Sequence, residues 1–393
     1  MKKLFAVFVF VSIVGAVFAQ TPKKPEITSL SWMTLQDAQL SYEQGDFGEA
    51  VRLVDTAKSK RRDEVAWSLY VLNQALNPSA VQVVGDNIDA VVEVLKERNA
   101  EDALTVIHDV LVKRNQEELN YSIAKLVKTV ALYEEYPEAD FMLGKLYMLE
   151  GEYVLADAFL TRAWEHADIL DIPDQRFDIL YQMAYLAKLQ KDYEKFEKSL
   201  LLVIASDGYV NSAGEDGTFI KAVKRSINAS DMTLDKLFLL YRSTAYTSLS
   251  AYYQLANYYR DNGKQEKALT MSTLAALIAF TRMYEAVKER DMEYVYADRE
   301  TDIYRQPNGA VLKNVSSSKK SNFVRYLEKV GEYYEIADWG ARNGVWEGFY
   351  NYAQILYESD CKVLSEGMYS SLSQFCPEDF WRNLALSELL KIY

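Results

Sequence analysis

Between Pro173 and Pro307 the chain carries no proline, and three of its 7 prolines stand where helices begin: Pro137 before Glu138-Ala139-Asp140, Pro173 before Asp174, Pro377 before Glu378-Asp379. Proline lacks the N–H that a helix interior needs but fits the first helical turn, so this distribution marks starts, not interruptions. Asn99 with Asp102, and Asn115 with Glu118, add N-cap residues three positions ahead of a carboxylate. Helical patterns of about 11 to 16 residues, separated by about two to six, predict an all-α fold of antiparallel hairpins.

Within that pattern the sequence repeats itself. Leu143, Gly144, Tyr147, Gly151, Tyr153, Ala156 and Ala163 form the best copy, over residues 137–170. Gly144 and Ala156 let two helices cross closely, Leu143 and Tyr147 supply the apolar stripe, and Gly151 makes a left-handed turn. This spacing resembles the tetratricopeptide repeat. Further copies begin at residue 31 (Ala38, Gly45, Asp46, Phe47, Ala50, Ala57), at 177 (Met183, Ala184, Asp192, Tyr193, Leu200, Val203) and at 249 (Leu255, Ala256, Tyr259, Gly263, Ala268, Ala275). The third departs from the pattern at Phe196, which implies a wider crossing. The gaps between starts approximate whole numbers of a repeat of about 34 residues, so degenerate hairpins are expected at 62–98, 100–135 and near 218–247. A generic helical bundle with chance matches is the alternative.

The resulting organisation is a leader (1–19), a linker (20–30), one solenoid block (31–205), a turn-rich loop (206–217), a second block (218–290), an excursion (291–320) and a helical cap (321–393). The excursion contains Glu293-Tyr294-Val295-Tyr296 and Pro307-Asn308-Gly309, so it reads as a short β-hairpin or a mobile segment. A solenoid needs such a cap to cover its apolar end.

Lys2-Lys3, the apolar run from Leu4 to Val17 and the compact Val17-Phe18-Ala19 read as a secretory signal peptide cleaved after Ala19. The run is short of the roughly 20 residues needed to span a bilayer. The expectation is a periplasmic or secreted protein with no transmembrane segment in the mature chain. Its formal net charge of −13 disfavours nucleic acid as a partner. The basic cluster Lys58, Lys60, Arg61 and Arg62, followed by Asp63 and Glu64, reads as one helix ending and the next beginning. In an exported chain Cys361 and Cys376 are expected to pair as a disulfide worth about 3 kcal/mol.

No catalytic signature stands out: no His-Glu-x-x-His, nucleophile elbow, phosphate loop or dinucleotide fingerprint. His108 beside Asp109 and His166 beside Glu165 point apart on a helix, so neither makes a natural dyad. No cofactor and no metal site is expected, and the chain reads as a non-enzymatic protein. Paired carboxylates for cell-wall glycoside cleavage are the enzymatic alternative.

The resemblance implies that the first helix of each repeat lines a concave groove. Carried over, the lining is Trp32, Gln39 and Tyr42; Phe141, Lys145 and Met148; Tyr181, Tyr185 and Lys188; and Tyr253, Asn257 and Arg260. Tyr and Trp suit a peptide groove, because they offer large contact area with few rotors and a polar tip. Lys145, Lys188 and Arg260 could receive a carboxylate or an acidic peptide. The expected role is a scaffold or adaptor binding a protein or peptide of the cell envelope, with a homo-oligomer as one option for its assembly. The alternative is a periplasmic small-molecule receptor or transporter accessory subunit, with the second block and the excursion closing over a pocket.

Overall fold

The computed structural model describes residues 22–26, 29–75, 130–205, 218–227, 229, 232–239, 247–294, 296 and 321–392. The leader, the 206–217 loop, residues 297–320 of the excursion and most of the expected hairpins at 62–98 and 100–135 lie outside them. The fold is all-α, and its helices pack in adjacent pairs. The start of the excursion, Asp291 to Tyr294, is a turn; among the described residues there is no strand. The chain divides into two compact units, Met1–Asp192 and Tyr193–Tyr393. That division falls inside the third sequence copy, not at the 206–217 loop.

The first unit contains α1 (Ser31–Glu43), α2 (Phe47–Ala75), α3 (Pro137–Glu150), α4 (Tyr153–Glu165) and α5 (Gln175–Gln190). α1 pairs with α2 and α3 with α4. Gly144 marks the close crossing of the second pair: a Cβ there would lie 2.6 Å from the Leu160 side chain. The two hairpins then stack directly on each other. Ala38, Ala50, Val54 and Ala57 share one core cluster with Tyr136, Ala139, Met142, Leu143 and Leu146. The first and second copies are therefore neighbours in space.

α2 also corrects the reading of the basic cluster. It runs unbroken through residue 62, and its charges bind both its own hairpin partner and the next hairpin. Lys58 Nζ donates to Asp140 Oδ1 at 2.5 Å, Arg61 Nε to the Tyr133 carbonyl at 2.9 Å and Lys60 Nζ to Thr34 Oγ1 at 2.8 Å. The buried Glu64 carboxylate accepts the Ser31 N–H and hydroxyl at 2.6 and 2.8 Å, holding α1 onto α2.

The same turn recurs at the same register in all four copies. Gly45, Gly151, Lys191 and Gly263 have φ of 81°, 79°, 61° and 69°. At each, the N–H of that residue bonds the carbonyl three positions back, and the next N–H reaches five back: Gly151 to Met148 with Glu152 to Tyr147, and Lys191 to Lys188 with Asp192 to Ala187. This doubly bonded left-handed stop ends an α-helix sharply and reverses the chain.

The second unit contains α6 (Tyr193–Ala205), α7 (Thr218–Ile227), a single helical turn at Leu234–Leu237, α8 (Leu249–Asp261), α9 (Gln265–Arg290), α10 (Asn322–Glu332), α11 (Tyr334–Arg342), α12 (Val345–Glu358), α13 (Lys362–Phe375) and α14 (Asp379–Ile392). Phe196 is buried edge-on against the Tyr258 ring at 5.5 Å, packing α6 on α8. Phe280 on α9 centres an aromatic core with Phe238, Tyr296 and Tyr326, ring centroids 4.5–4.9 Å away. Asp235 fixes that core from outside: its carboxylate accepts the Asn322 and Phe323 N–H groups, each at 3.0 Å, at the α10 N-terminus. The C-terminal helices are thus integral to this unit, with α12 buried against α9, and do more than close an end.

The expected disulfide is absent: both cysteines are free. Cys361 and Cys376 flank the 14-residue α13 at its two ends. At 1.5 Å rise per residue that places them about 20 Å apart, against the roughly 4–7 Å between Cα atoms that a disulfide spans.

Candidate functional site

Of the twelve expected lining residues, nine lie in the first unit, on α1, α3 and α5. The structure brings three of them together. Lys145 Nζ lies 4.9 Å from the centroid of the Tyr42 ring and 4.9 Å from that of Phe141. Tyr42 sits in the last turn of α1, and its ring also meets Phe47 across the hairpin turn at 5.8 Å. Phe141 and Lys145 are one helical turn apart on α3, so both project from one face.

Two carboxylates complete this arrangement. Burial lowers the Lys145 pKa, and the charges of Asp178 and Glu43 oppose that shift. Asp178, in the first turn of α5, is itself raised by desolvation and drawn back by Lys145. Glu43 accepts a hydrogen bond from Gln39 Nε2 at 2.7 Å, one helical turn away. Asp178 and Glu43 are not among the twelve expected lining residues, yet they lie on α5 and α1, the helices that carry Tyr181 and Tyr42.

The remaining first-unit residues divide. Trp32 and Tyr185 are exposed at 40% and 53%, and Lys188 is exposed as well. Tyr181 is half-buried. Met148 is buried, with its sulfur 3.2 Å from Gln182 Nε2, and serves packing between α3 and α5.

In the second unit the corresponding face is covered by the chain itself. The Tyr253 ring lies on Gly348 of α12 so closely that a Cβ there would sit 2.2 Å from the ring. The Tyr253 hydroxyl is buried without a hydrogen-bond partner among the described residues, and burial pushes its pKa far up. Arg260 Nη1 donates to Gln354 Oε1 at 3.1 Å and its Nε lies 3.5 Å from Asp261. Asn257 is half-buried on the same helix. Tyr253 and Arg260 are occupied by α12, which narrows the exposed lining to α1, α3 and α5. It also changes the expected polarity: Arg260 is engaged and Lys145 is surrounded by negative groups, so of the three cations Lys188 alone is left exposed.

His166 ends α4 with Nδ1 3.0 Å from the Arg162 carbonyl, while His108 lies outside the described residues. No group of three or more His, Cys, Asp or Glu able to hold a metal ion occurs among the described residues. No helix among them is long and apolar enough to cross a membrane.

No family model matches the chain. It is similar to an uncharacterized protein of Treponema pallidum (strain Nichols), 29% identical over 346 residues, which cover 88% of this chain and 86% of that protein.

Proposed function

We propose that the protein is an exported scaffold or adaptor of tetratricopeptide type, acting in the cell envelope by holding a protein or peptide on the α1, α3 and α5 face of its first unit. The observation that carries this reading is the convergence of Tyr42, Phe141 and Lys145 from two stacked hairpins, on helices of a unit that also carries exposed Trp32, Tyr185 and Lys188. Rigid aromatic side chains left exposed suit peptide capture, since they lose little rotamer freedom on contact. The leader supports export.

The test is site-specific photo-crosslinking in cells. A benzophenone side chain placed at position 32 or 185 is expected to give discrete protein adducts in the envelope fraction. The same group at Val154, exposed at 80% on α4, is the control and is expected to give none. Equal labelling at all three positions, or residence of the mature chain outside the envelope, would sink the proposal.

A further inference from the structure

Around the Tyr42 and Phe141 rings the charges do not close into pairs. The Lys145 ammonium has both ring faces at 4.9 Å but no hydrogen bond or ion pair among the described residues. Asp178 and Glu43 act on it from longer range, and neither carboxylate has an ion pair there. The locality holds two carboxylates, two electron-rich ring faces and one ammonium, one net negative charge in all. An anion arriving there would meet both carboxylates and the negative ring faces, whereas a cation is attracted by every group except Lys145.

We infer that this is a cation-recognition subsite: it takes an arginine or lysine side chain of the protein held on the face, and Lys145 is a resident occupant that swings out to admit it. This rests on the docking role proposed for the same face. Lys145 is a weakly held occupant, because the rings offer its ammonium no lone-pair acceptor and no carboxylate among the described residues pairs with it. Its flexible four-carbon stem lets the charged end move to water while the base stays put. A guanidinium fits better. It is planar and weakly hydrated, stacks on a ring face and can fork onto a carboxylate such as Asp178 or Glu43. The expected preference is thus for a basic segment, the reverse of the acidic peptide suggested by the lysines alone.

The test titrates N-acetyl-arginine amide and N-acetyl-glutamate amide separately onto the mature chain, following the Lys145 13Cε resonance and the ring resonances of Tyr42 and Phe141. The arginine probe is expected to move all three. Lys145→Met, which keeps the stem and removes the competitor, is expected to tighten the arginine probe about three- to tenfold, and Asp178→Asn to weaken it by a similar factor. Lys145→Gln serves as a second variant should the methionine disturb folding. Binding of the glutamate probe that disappears in Lys145→Met overturns the inference, because Lys145 is then an anion anchor. Silence of the arginine probe on both wild type and Lys145→Met overturns it too, even where photo-adducts at positions 32 and 185 leave the docking role standing. Arginine binding without any adduct supports the subsite and removes the docking role.

Discussion

Lys58 on α2 donates to the Asp140 carboxylate on α3 at 2.5 Å, across 82 positions of sequence. Arg162 Nε on α4 reaches the other oxygen of that carboxylate at 2.6 Å. One buried acid therefore ties together helices from two hairpins that the sequence places far apart. Replacing Asp140 by Ala leaves two cations without their shared partner, and is expected to cost about 3 kcal/mol, the low end for a broken buried pair because both cations are partly exposed. Lys58→Met, which keeps the Arg162 contact, is expected to cost about 1 kcal/mol. Urea unfolding of the two variants checks the order; equal losses would mean that Arg162 does not hold Asp140.

Lys191 stands where the other three copies carry glycine, with φ of 61°. A side chain in the left-handed region costs about 1–2 kcal/mol, part of which glycine returns through its greater freedom in the unfolded chain. Lys191→Gly is expected to stabilise by about 0.5–1 kcal/mol, and Gly151→Ala, at φ of 79°, to destabilise by about 1 kcal/mol. Thermal unfolding of the two variants measures this; a destabilised Lys191→Gly would show that the lysine makes a compensating contact.

The repeat turns were readable because left-handed glycine and small crossing residues are local demands. Gly144 and Ala156 meet theirs within one hairpin, and Ala38, Ala184 and Ala256 are likewise buried. Register alone did not say which hairpins stack. That is decided by long-range groups such as Lys58, Arg61 and Glu64, whose run of mixed charge looks from sequence like a helix junction. The coverage of Tyr253 was equally hidden: it depends on Gly348, one glycine within an aromatic helix, offering room for a ring from another element. At the candidate site the rings and the lysine stood out by type. Asp178 and Glu43 did not, because isolated acids on helix surfaces are ordinary in an acidic chain.

Gly348 makes a sharper case than a crossing glycine. A methyl group there would stand 2.2–2.6 Å from three atoms of the Tyr253 ring and hydroxyl, inside a fully packed layer. Gly348→Ala is expected to cost about 3 kcal/mol, the upper part of the usual overpacking range. Tyr253→Leu in the same chain should restore most of it. Failure of that rescue, read from the denaturant midpoints, would place the damage in α12 itself.

Glu138 sets a pH dependence. Burial, then the nearby Asp171 charge, pushes its carboxyl above the ordinary value of 4.5, against the pull of the Asp171 N–H, which donates to Oε1 at 2.7 Å. A carboxyl raised on folding binds more protons in the folded state between the two values. Its contribution to stability is complete below the unfolded value and is lost as pH rises through the folded one. Glu138→Gln, whose amide oxygen can still accept the Asp171 N–H, is therefore expected to be more stable than wild type at pH 7, with the gain shrinking as pH falls from the raised folded value toward 4.5 and gone below it. Parallel urea titrations across that range would settle the sign, and a gain that grows on acidification would contradict it.

The two cysteines separate by environment. Cys376 is 1% exposed, and burial pushes its thiol pKa up to about 11, so little thiolate forms near neutrality. Cys361, at the other end of α13, is half-buried; its thiol is also raised, first by burial and then by the charge of Asp360. A neutral alkylating reagent is expected to modify Cys361 slowly in the folded protein, to reach Cys376 only after unfolding, and to find two thiols in a denatured sample never exposed to reductant. Because α13 holds the sulfurs about 20 Å apart, a disulfide between them requires that helix to melt. Fewer than two thiols in the denatured sample, with a single cross-linked peptide by mass spectrometry, would mean that α13 is not formed in the native protein.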